Sequence, residues 1–455
     1  MEQYPVTLRT IMKLNNDFLT SMKEVLSKNE YDLFIKSLTE KPKRAIVVNN
    51  LKIDKSSFLH NFNYELENLE LDQNCFKLNT DEKLGNSLLH KAGAFYLQEP
   101  SAMVPALLLP LKSGDRVLDV CASPGGKSFQ IARRLDGVLV SNEIDFDRAK
   151  KLQSNLERLG VCNSIITNFD SKGLSESYPN CFDCLIVDAP CSGEGMFRRD
   201  EFAVNQWTLN LVENLSKLQL EILANVDNCL KEGGYLVYST CTFSIEENEK
   251  IVAQLVDMGY VIQALPVING AVDGVKLKGY TTNLAKRIYP HNDLGEGQFV
   301  CLLQKQKCCE GRVKSFELKV NLKEKKIVEE FFTENLIKPF DFNKEIVIKD
   351  SQVYFCADKN LIRKSNIINY GVKLGQIEKS RFEPHNNFFS AFGQLFNRKI
   401  ELTEAEALKV MRGETIYSSC DNGWCALSFK GCFFAGGKAV NGLVKNHYPK
   451  GLRLN

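Results

Sequence analysis

Two cysteines that follow apolar runs have the chemistry of nucleophiles. Cys191 stands in Val187-Asp188-Ala189-Pro190-Cys191-Ser192-Gly193, and Cys241 in Tyr238-Ser239-Thr240-Cys241-Thr242. The thiolate is the reactive form, and a free thiol with a pKa of about 8.5 reaches it readily only beside a cation, a helix start or hydrogen-bond donors. One thiol is enough to attack; a pair suggests an adduct that must also be undone. A third segment, Asp119-Val120-Cys121-Ala122-Ser123-Pro124-Gly125-Gly126-Lys127, is a glycine-rich turn after another apolar run. Its glycines are expected to let a ligand approach the backbone, and Glu143 follows at about the twenty-residue spacing at which an acid meets ribose hydroxyls. A dinucleotide fingerprint is incomplete, because Gly-x-Gly-x-x-Gly is absent. A phosphate-wrapping loop through Gly126-Lys127-Ser128 also fails, since its first glycine would fall on Cys121.

These residues need a scaffold, and the surrounding pattern supplies one. Strands are expected over 116–119, 137–141, 164–167, 184–187 and 235–239, with an antiparallel closing pair at 260–265 and 298–304. Helical patterns lie between them at 126–135, 145–159 and 209–230. This alternation is that of a doubly wound α/β sheet, whose ligands gather at the carboxyl ends of the strands. Those ends carry Asp119 with the turn 121–127, Asn142-Glu143, Phe169-Asp170, Asp188 with Cys191, and Ser239 with Cys241. Asp170 has a second reading as a helix cap ahead of Ser171.

Read together, the motifs resemble those of the RNA cytosine-5 methyltransferases of the Sun and RsmF type. Cys121-Ala122-Ser123-Pro124-Gly125-Gly126-Lys127 resembles that family's cofactor turn, Asp188-Ala189-Pro190-Cys191-Ser192-Gly193 its fourth motif, and Ser239-Thr240-Cys241-Thr242 its sixth. Further similarity lies in Tyr96-Leu97-Gln98-Glu99-Pro100-Ser101-Ala102, Gly193-Glu194-Gly195-Met196-Phe197-Arg198-Arg199, Arg287-Ile288-Tyr289-Pro290-His291, Gly295-Glu296-Gly297 and the tail run 445–453. Ser123 departs from the alanine of many relatives. The resemblance implies a Rossmann-like core that binds S-adenosyl-L-methionine through Cys121, Ala122, Ser123, Pro124, Gly125, Gly126, Lys127, Glu143, Asp170 and Asp188. It implies that Cys241 attacks carbon 6 of a cytosine and that Cys191 serves release. The expected substrate is RNA, 16S rRNA of the small ribosomal subunit first and tRNA as the alternative. A non-catalytic RNA-binding assembly factor is the rival reading, and the paired thiols argue against it.

Length and composition frame the rest. The 455 residues, 44% hydrophobic and 25% charged, suit a globular protein of several domains. The expected division is an N-terminal α+β domain over 1–100, with helical spacing at Leu8, Ile11, Met12, Phe18 and Met22. A methyltransferase domain over 101–305, a charged linker over 306–326 and a C-terminal α+β, PUA-like RNA-binding region over 327–455, of one or two small domains, follow. Fifteen dispersed cysteines read as reduced thiols with no metal, and the absence of a long apolar run or leader pattern predicts a cytoplasmic protein away from membranes; a monomer is expected. A net charge of +2 leaves RNA contact to local patches, Lys41-Pro42-Lys43-Arg44 and the tail with Lys438, Lys445, His447, Lys450 and Arg453. Ser239, Thr240 and Thr242 are expected to activate Cys241, Gly193 and Gly195 to admit RNA, and Arg198 with Arg199 to be either solvated or in contact with phosphate.

Overall fold

Residues 14–307 and 321–454 are described by a computed structural model of the chain. The expected helical positions Leu8, Ile11 and Met12, and most of the expected linker, lie outside the described residues. The first helices, Asn16–Val25 and Lys28–Ser37, start at the polar caps Asn15 and Ser27, the second with a reciprocal capping box to Glu30. A four-stranded antiparallel sheet follows in the order β2-β3-β1-β4, from β1 (Ala45–Val48), β2 (Leu66–Asn68), β3 (Cys75–Leu78) and β4 (Phe95–Gln98).

The central sheet exists because its strands are apolar on both faces. It runs from β5 (Arg116–Asp119), β6 (Val138–Asn142), β7 (Ser164–Thr167), β8 (Phe182–Asp188) and β9 (Leu230–Thr240) to β10 (Tyr260–Ile262), β11 (Ala271–Asp273), β12 (Lys286–Ile288) and β13 (Gln298–Lys305). In β8, Leu185 and Val187 enter one core while Cys184 and Ile186 enter the other, so successive residues feed opposite faces. The first core receives helix Leu209–Val226 through Leu223 and Val226; the second receives Gly126–Ala132 and Phe146–Arg158 through Phe129, Leu152 and Leu156. Strands β7, β6, β5, β8 and β9 are parallel in that spatial order, and β13 adds antiparallel to β9. The order turns back between β5 and β8, which places a crevice at the carboxyl ends of those strands.

The remaining strands are β14 (Ile346–Lys349), β15 (Gln352–Phe355), β16 (Ile367–Asn369), β17 (Val372–Glu378), β18 (Arg381–Pro384), β19 (Lys399–Glu401), β20 (Ile416–Tyr417), β21 (Gly423–Phe429), β22 (Cys432–Val440) and β23 (Leu443–Asn446). They form two sheets, β14-β15-β17-β18 and β19-β21-β22-β23-β20, with one exception. Strand β16 leaves this region and pairs antiparallel with β7, capping the edge of the central sheet. Arg363 fixes the approach: its guanidinium lies over the Tyr178 ring at 4.1 Å and donates to the Ser177 carbonyl at 2.7 Å.

Two expected elements change. The helix expected over 209–230 ends at Val226, because Leu230 already starts β9. Helix Leu322–Asn335 takes up 322–326, which were read as linker; Val328, Phe331 and Phe332 bury its apolar side while lysines occupy its exposed turns. Among the described residues no helix is long and apolar enough to cross a membrane.

Lys52 ties three regions together. Its buried ammonium donates to the carbonyls of Ala92, Arg158 and Phe433 at 3.0, 2.9 and 2.9 Å, and to Ser390 Oγ at 2.8 Å.

Candidate active site

Strands β8 and β9 are adjacent and parallel, so the loops that leave them emerge side by side. Cys191 and Cys241 sit in those two loops with their sulfurs 3.4 Å apart. The loops are laced in both directions. Glu194, beyond Cys191, accepts from the Phe243 N–H at 2.7 Å, and Gly195 N–H donates to the Cys241 carbonyl at 2.8 Å. In return Glu247, beyond Cys241, accepts from Ser192 N–H at 2.9 Å, and the hydroxyls of Ser192 and Thr242 meet at 2.7 Å. The Cys191 thiol is held well above its usual range, first by the hydrogen bond to Cys241 and then by burial. Either sulfur can donate to the other across this contact.

The hydroxyls expected to activate Cys241 do other work. Ser239 donates to Asp188 at 2.8 Å, Thr240 to Asn248 at 2.6 Å, and Thr242 is engaged with Ser192. Asp188 also receives Lys127 at 2.7 Å and Gln298 at 3.2 Å, so three neighbours define its carboxylate.

The turn 121–127 runs from β5 into helix Gly126–Ala132. Gly125 has φ of +110°, a conformation that side chains disfavour. The glycines' space is filled from within the protein: a Cβ on Gly126 would meet the Tyr96 ring at 2.9 Å, and one on Gly125 would meet Leu152 at 3.0 Å. The turn is thus packed closely from behind, with no room for a side chain at either glycine. Ser123 donates to the Arg148 carbonyl at 3.1 Å, and Asn155 to the Pro124 carbonyl at 2.9 Å. Ala122 N–H donates to the Asn142 carbonyl at 2.8 Å, and burial pushes the Cys121 thiol up.

Two buried carboxylates at strand ends keep an oxygen for a further partner. Glu143 Oε1 accepts from Asp145 N–H at 3.1 Å, while Oε2 has no hydrogen-bond partner and forms an ion pair with the Arg148 guanidinium at 3.4 Å. Asp119 Oδ2 accepts from Ser128 at 2.6 Å, Oδ1 from none, and burial pushes its pKa up to about 7. Acceptors left without a hydrogen bond in the interior cost free energy unless a ligand satisfies them. Asp170 is the N-cap of helix Ser171–Ser177, accepting from Gly173 N–H at 2.6 Å.

The supporting residues come from far along the chain. Glu99 accepts from Ser101, Ala102 and Glu296 backbone N–H groups at 2.8, 2.7 and 2.7 Å, joining two of the segments singled out in the sequence. Arg198 is neither solvated nor open to phosphate: it is buried, pairs with Glu296 at 2.8 Å and donates to the Ser37 and Gly295 carbonyls. Arg199 is partly buried and donates to the Lys43 carbonyl at 2.6 Å. Phe18 meets Phe197 and Trp207 at 5.1 and 5.6 Å between centroids, and Phe34 meets Phe243 at 5.4 Å, so the N-terminal helices brace both thiol loops. The sequence assigns no role to Glu247 or Gln219, and Arg287 enters it only as part of the run Arg287-Ile288-Tyr289-Pro290-His291. Only the acid-rich run Glu246-Glu247-Asn248-Glu249 directly after the Cys241 loop hinted at them. Arg287 holds that run through Glu249 at 2.7 Å and through the Phe243 carbonyl at 2.7 Å.

Comparison with known proteins gives the chain its relatives. Residues 106–304 match the family of 16S rRNA methyltransferases RsmB/F, 14–100 the N-terminal domain of 16S rRNA methyltransferase RsmF, and 397–454 the methyltransferase RsmF PUA domain. The chain is 31% identical over 453 residues to ribosomal RNA small subunit methyltransferase F of Vibrio campbellii, covering 92% of this chain and 93% of that one. Against the Psychromonas ingrahamii protein of the same name it is 30% identical over 440 residues, covering 90% and 91%. Among solved structures, a methyltransferase homolog from Pyrococcus horikoshii aligns at 27% identity and TM-score 0.54, over 64% of this chain and all of that one. NSun6 from Pyrococcus horikoshii, solved with SFG, shares the fold at 22% identity and TM-score 0.57, over 64% and 98%.

Proposed function

The chain belongs to the family of ribosomal RNA small subunit methyltransferase F, which uses S-adenosyl-L-methionine, and from that premise we propose that it methylates carbon 5 of a cytosine in 16S rRNA through a covalent cysteine adduct. The observation that carries this reading is the pair of sulfurs 3.4 Å apart at adjacent strand ends. Methylation of an exocyclic nitrogen or a ribose oxygen has no use for two thiols. Carbon 5 of cytosine does, because it becomes nucleophilic only when a thiolate adds at carbon 6.

The residues fit the cofactor, and they fit it by what they leave unsatisfied. Glu143 Oε2 suits a ribose hydroxyl, and the turn 121–127 with Asp119 and Asp188 frames the methionine end; Asp170, beyond the carboxyl end of β7, is assigned to the same cofactor. When bound, the sulfonium supplies an electrophilic methyl group. Cys241 is the nucleophile, with the Cys191 sulfur 3.4 Å away and its thiol held well above the usual range. Cys191, with its high proton affinity, is a poor nucleophile at neutral pH and a fit acceptor for the carbon 5 proton once its own has left. The target base must be unstacked to reach sulfurs held this rigidly, so a loop or a flipped base is the form bound. The C-terminal module positions the RNA.

Incubation with labelled cofactor and small-subunit rRNA, followed by mapping of 5-methylcytosine, tests the reading. Label in 5-methylcytosine supports it; label in any other nucleoside, or in none, overturns it.

A further inference from the structure

The residues on either side of Cys191 are gripped by one pair of buried side chains. Gln219, on helix Leu209–Val226, donates from Nε2 to the Pro190 carbonyl at 2.9 Å and to Glu247 Oε2 at 2.9 Å. Glu247 Oε2 accepts from Ser192 N–H at 2.9 Å, and Oε1 from the Ser192 hydroxyl at 2.5 Å. The Tyr238 hydroxyl closes the group, donating to the Glu247 carbonyl at 2.5 Å and lying 3.1 Å from Gln219 Oε1. Gln219, Glu247 and Tyr238 are all fully buried.

Such a group is costly for stability alone. A carboxylate and an amide taken out of water at best break even against apolar side chains of the same shape. What an apolar replacement could not do is fix peptides 190 and 192 by direction as well as distance. With both neighbours pinned to the helix and to the Cys241 loop, the Cys191 sulfur has one place to be, whereas Pro190 alone restricts only its own φ.

We propose that Gln219 and Glu247 are positioning residues for the release step, holding Cys191 where its sulfur meets the hydrogen on carbon 5; this rests on the assignment of Cys191 to release made above. In that step Cys191 first gives up its own proton to solvent; the carbon 5–hydrogen bond then breaks and its proton goes to the resulting Cys191 thiolate. The freed electron pair forms the carbon 5–carbon 6 double bond, and the carbon 6–sulfur bond breaks with its pair returned to Cys241 as thiolate. Neither Gln219 nor Glu247 touches substrate in this scheme. Their loss should therefore slow release and spare attack and methyl transfer.

The test uses the full-length protein in single-turnover reactions with small-subunit rRNA and labelled cofactor. Methyl transfer is followed in the RNA, and release by the protein–RNA adduct that survives denaturant. Glu247→Gln leaves one acceptor oxygen where Glu247 offers two oxygens to three donors, and Gln219→Leu removes the amide that donates to Glu247 and Pro190. Each should slow release about tenfold or more while methyl transfer stays within about threefold, the cost of small misplacement at one step only. A merely structural defect would lower transfer and adduct together. Ser192→Ala keeps the backbone bond and removes the hydroxyl, so it serves if the first two variants do not fold; roughly threefold slower release is expected from one lost bond. Folded variants that release adduct as fast as the wild type overturn the proposal. Cys191→Ala is the control: if it traps adduct and the Gln219 and Glu247 variants do not, the positioning role alone falls. If Cys191→Ala traps none, the release assignment falls and this proposal with it.

Discussion

Gly195→Ala should cripple the enzyme with little loss of fold. Gly195 sits between two backbones: a Cβ there would stand 2.9 Å from the Cys241 carbonyl oxygen and 3.0 Å from that of Gly297. Both distances are about 0.5 Å inside van der Waals contact, and neither neighbour is a side chain that can swing away. The Gly297 side is also closed, since its own Cβ position lies 2.5 Å from the Phe243 ring. The clash must then be relieved by moving the Cys191 loop and the Cys241 peptide apart, by roughly half an ångström if each takes a share. Overpacking of this kind costs about 1–3 kcal/mol of stability. A displacement approaching 1 Å at the reacting atoms costs about a hundredfold in rate, so a fall of roughly tenfold to a hundredfold in kcat is expected, with KM for RNA nearly unchanged. Gly193→Ala is the comparison. Gly193 has φ of +71° but open space at its Cβ, with nothing nearer than the Cys191 carbonyl oxygen at 4.0 Å. It should lose about 1–2 kcal/mol from backbone strain and much less activity. Steady-state methylation together with urea unfolding of both variants decides the matter. Equal losses of kcat, or a Gly195→Ala enzyme as active as the wild type, would refute the claim that this contact places the Cys241 loop.

Other outcomes follow from the same geometry. Cys241→Ala should abolish both methylation and adduct, and Cys191→Ala should accumulate a denaturant-resistant protein–RNA adduct on gels; the reverse pattern would exchange their roles. Glu143→Ala should weaken S-adenosyl-L-methionine binding by about tenfold to a hundredfold, the worth of a charged hydrogen bond, as read by calorimetric titration; unchanged affinity would remove Glu143 from the cofactor site. Asp119 keeps a proton in the folded state up to about pH 7, whereas in the unfolded chain it loses it near pH 4. Its contribution to stability is therefore present at low pH and lost as the pH rises through that window. Asp119→Asn should gain on the wild type by about 3 kcal/mol between pH 4.5 and 7.5 in denaturant unfolding; a constant difference would contradict the buried acid.

Much of the central sheet was legible because apolar runs closed by polar turns admit few alternatives. The expected strands at 116–119 and 164–167 coincide with β5 and β7, and the others fall within a few residues of their observed limits. Strand ends brought the two thiols together on paper for the same reason, since parallel neighbours must present their carboxyl ends together. What stayed hidden depends on partners distant in sequence. Arg198 is a buried ion-pair partner only because Glu296 comes back to it, and nothing local distinguishes that from a solvated arginine. The tight packing that also demands glycine at 125, 126 and 195 comes from Tyr96, Leu152 and the Cys241 backbone, which no local pattern reveals. Gln219 and Glu247 looked like ordinary polar positions in helix and loop. The lysine-rich start of helix Leu322–Asn335 masked an apolar stripe that begins a turn later.

The edge strand β16 has a consequence for the order in which the chain is made. β13 ends at Lys305 and β16 begins at Ile367, so roughly sixty residues separate the last strand of the catalytic region from the one that covers β7. At about 5–20 residues per second, synthesis leaves that edge open for roughly 3–12 s after the rest of the sheet has emerged. An uncovered parallel edge beside an apolar core invites pairing with other chains. The nascent protein must therefore pass through a nearly complete but unsealed sheet. Its yield in cells should depend on how quickly residues 306–369 follow, and a translational pause in that stretch would be the most damaging place for one.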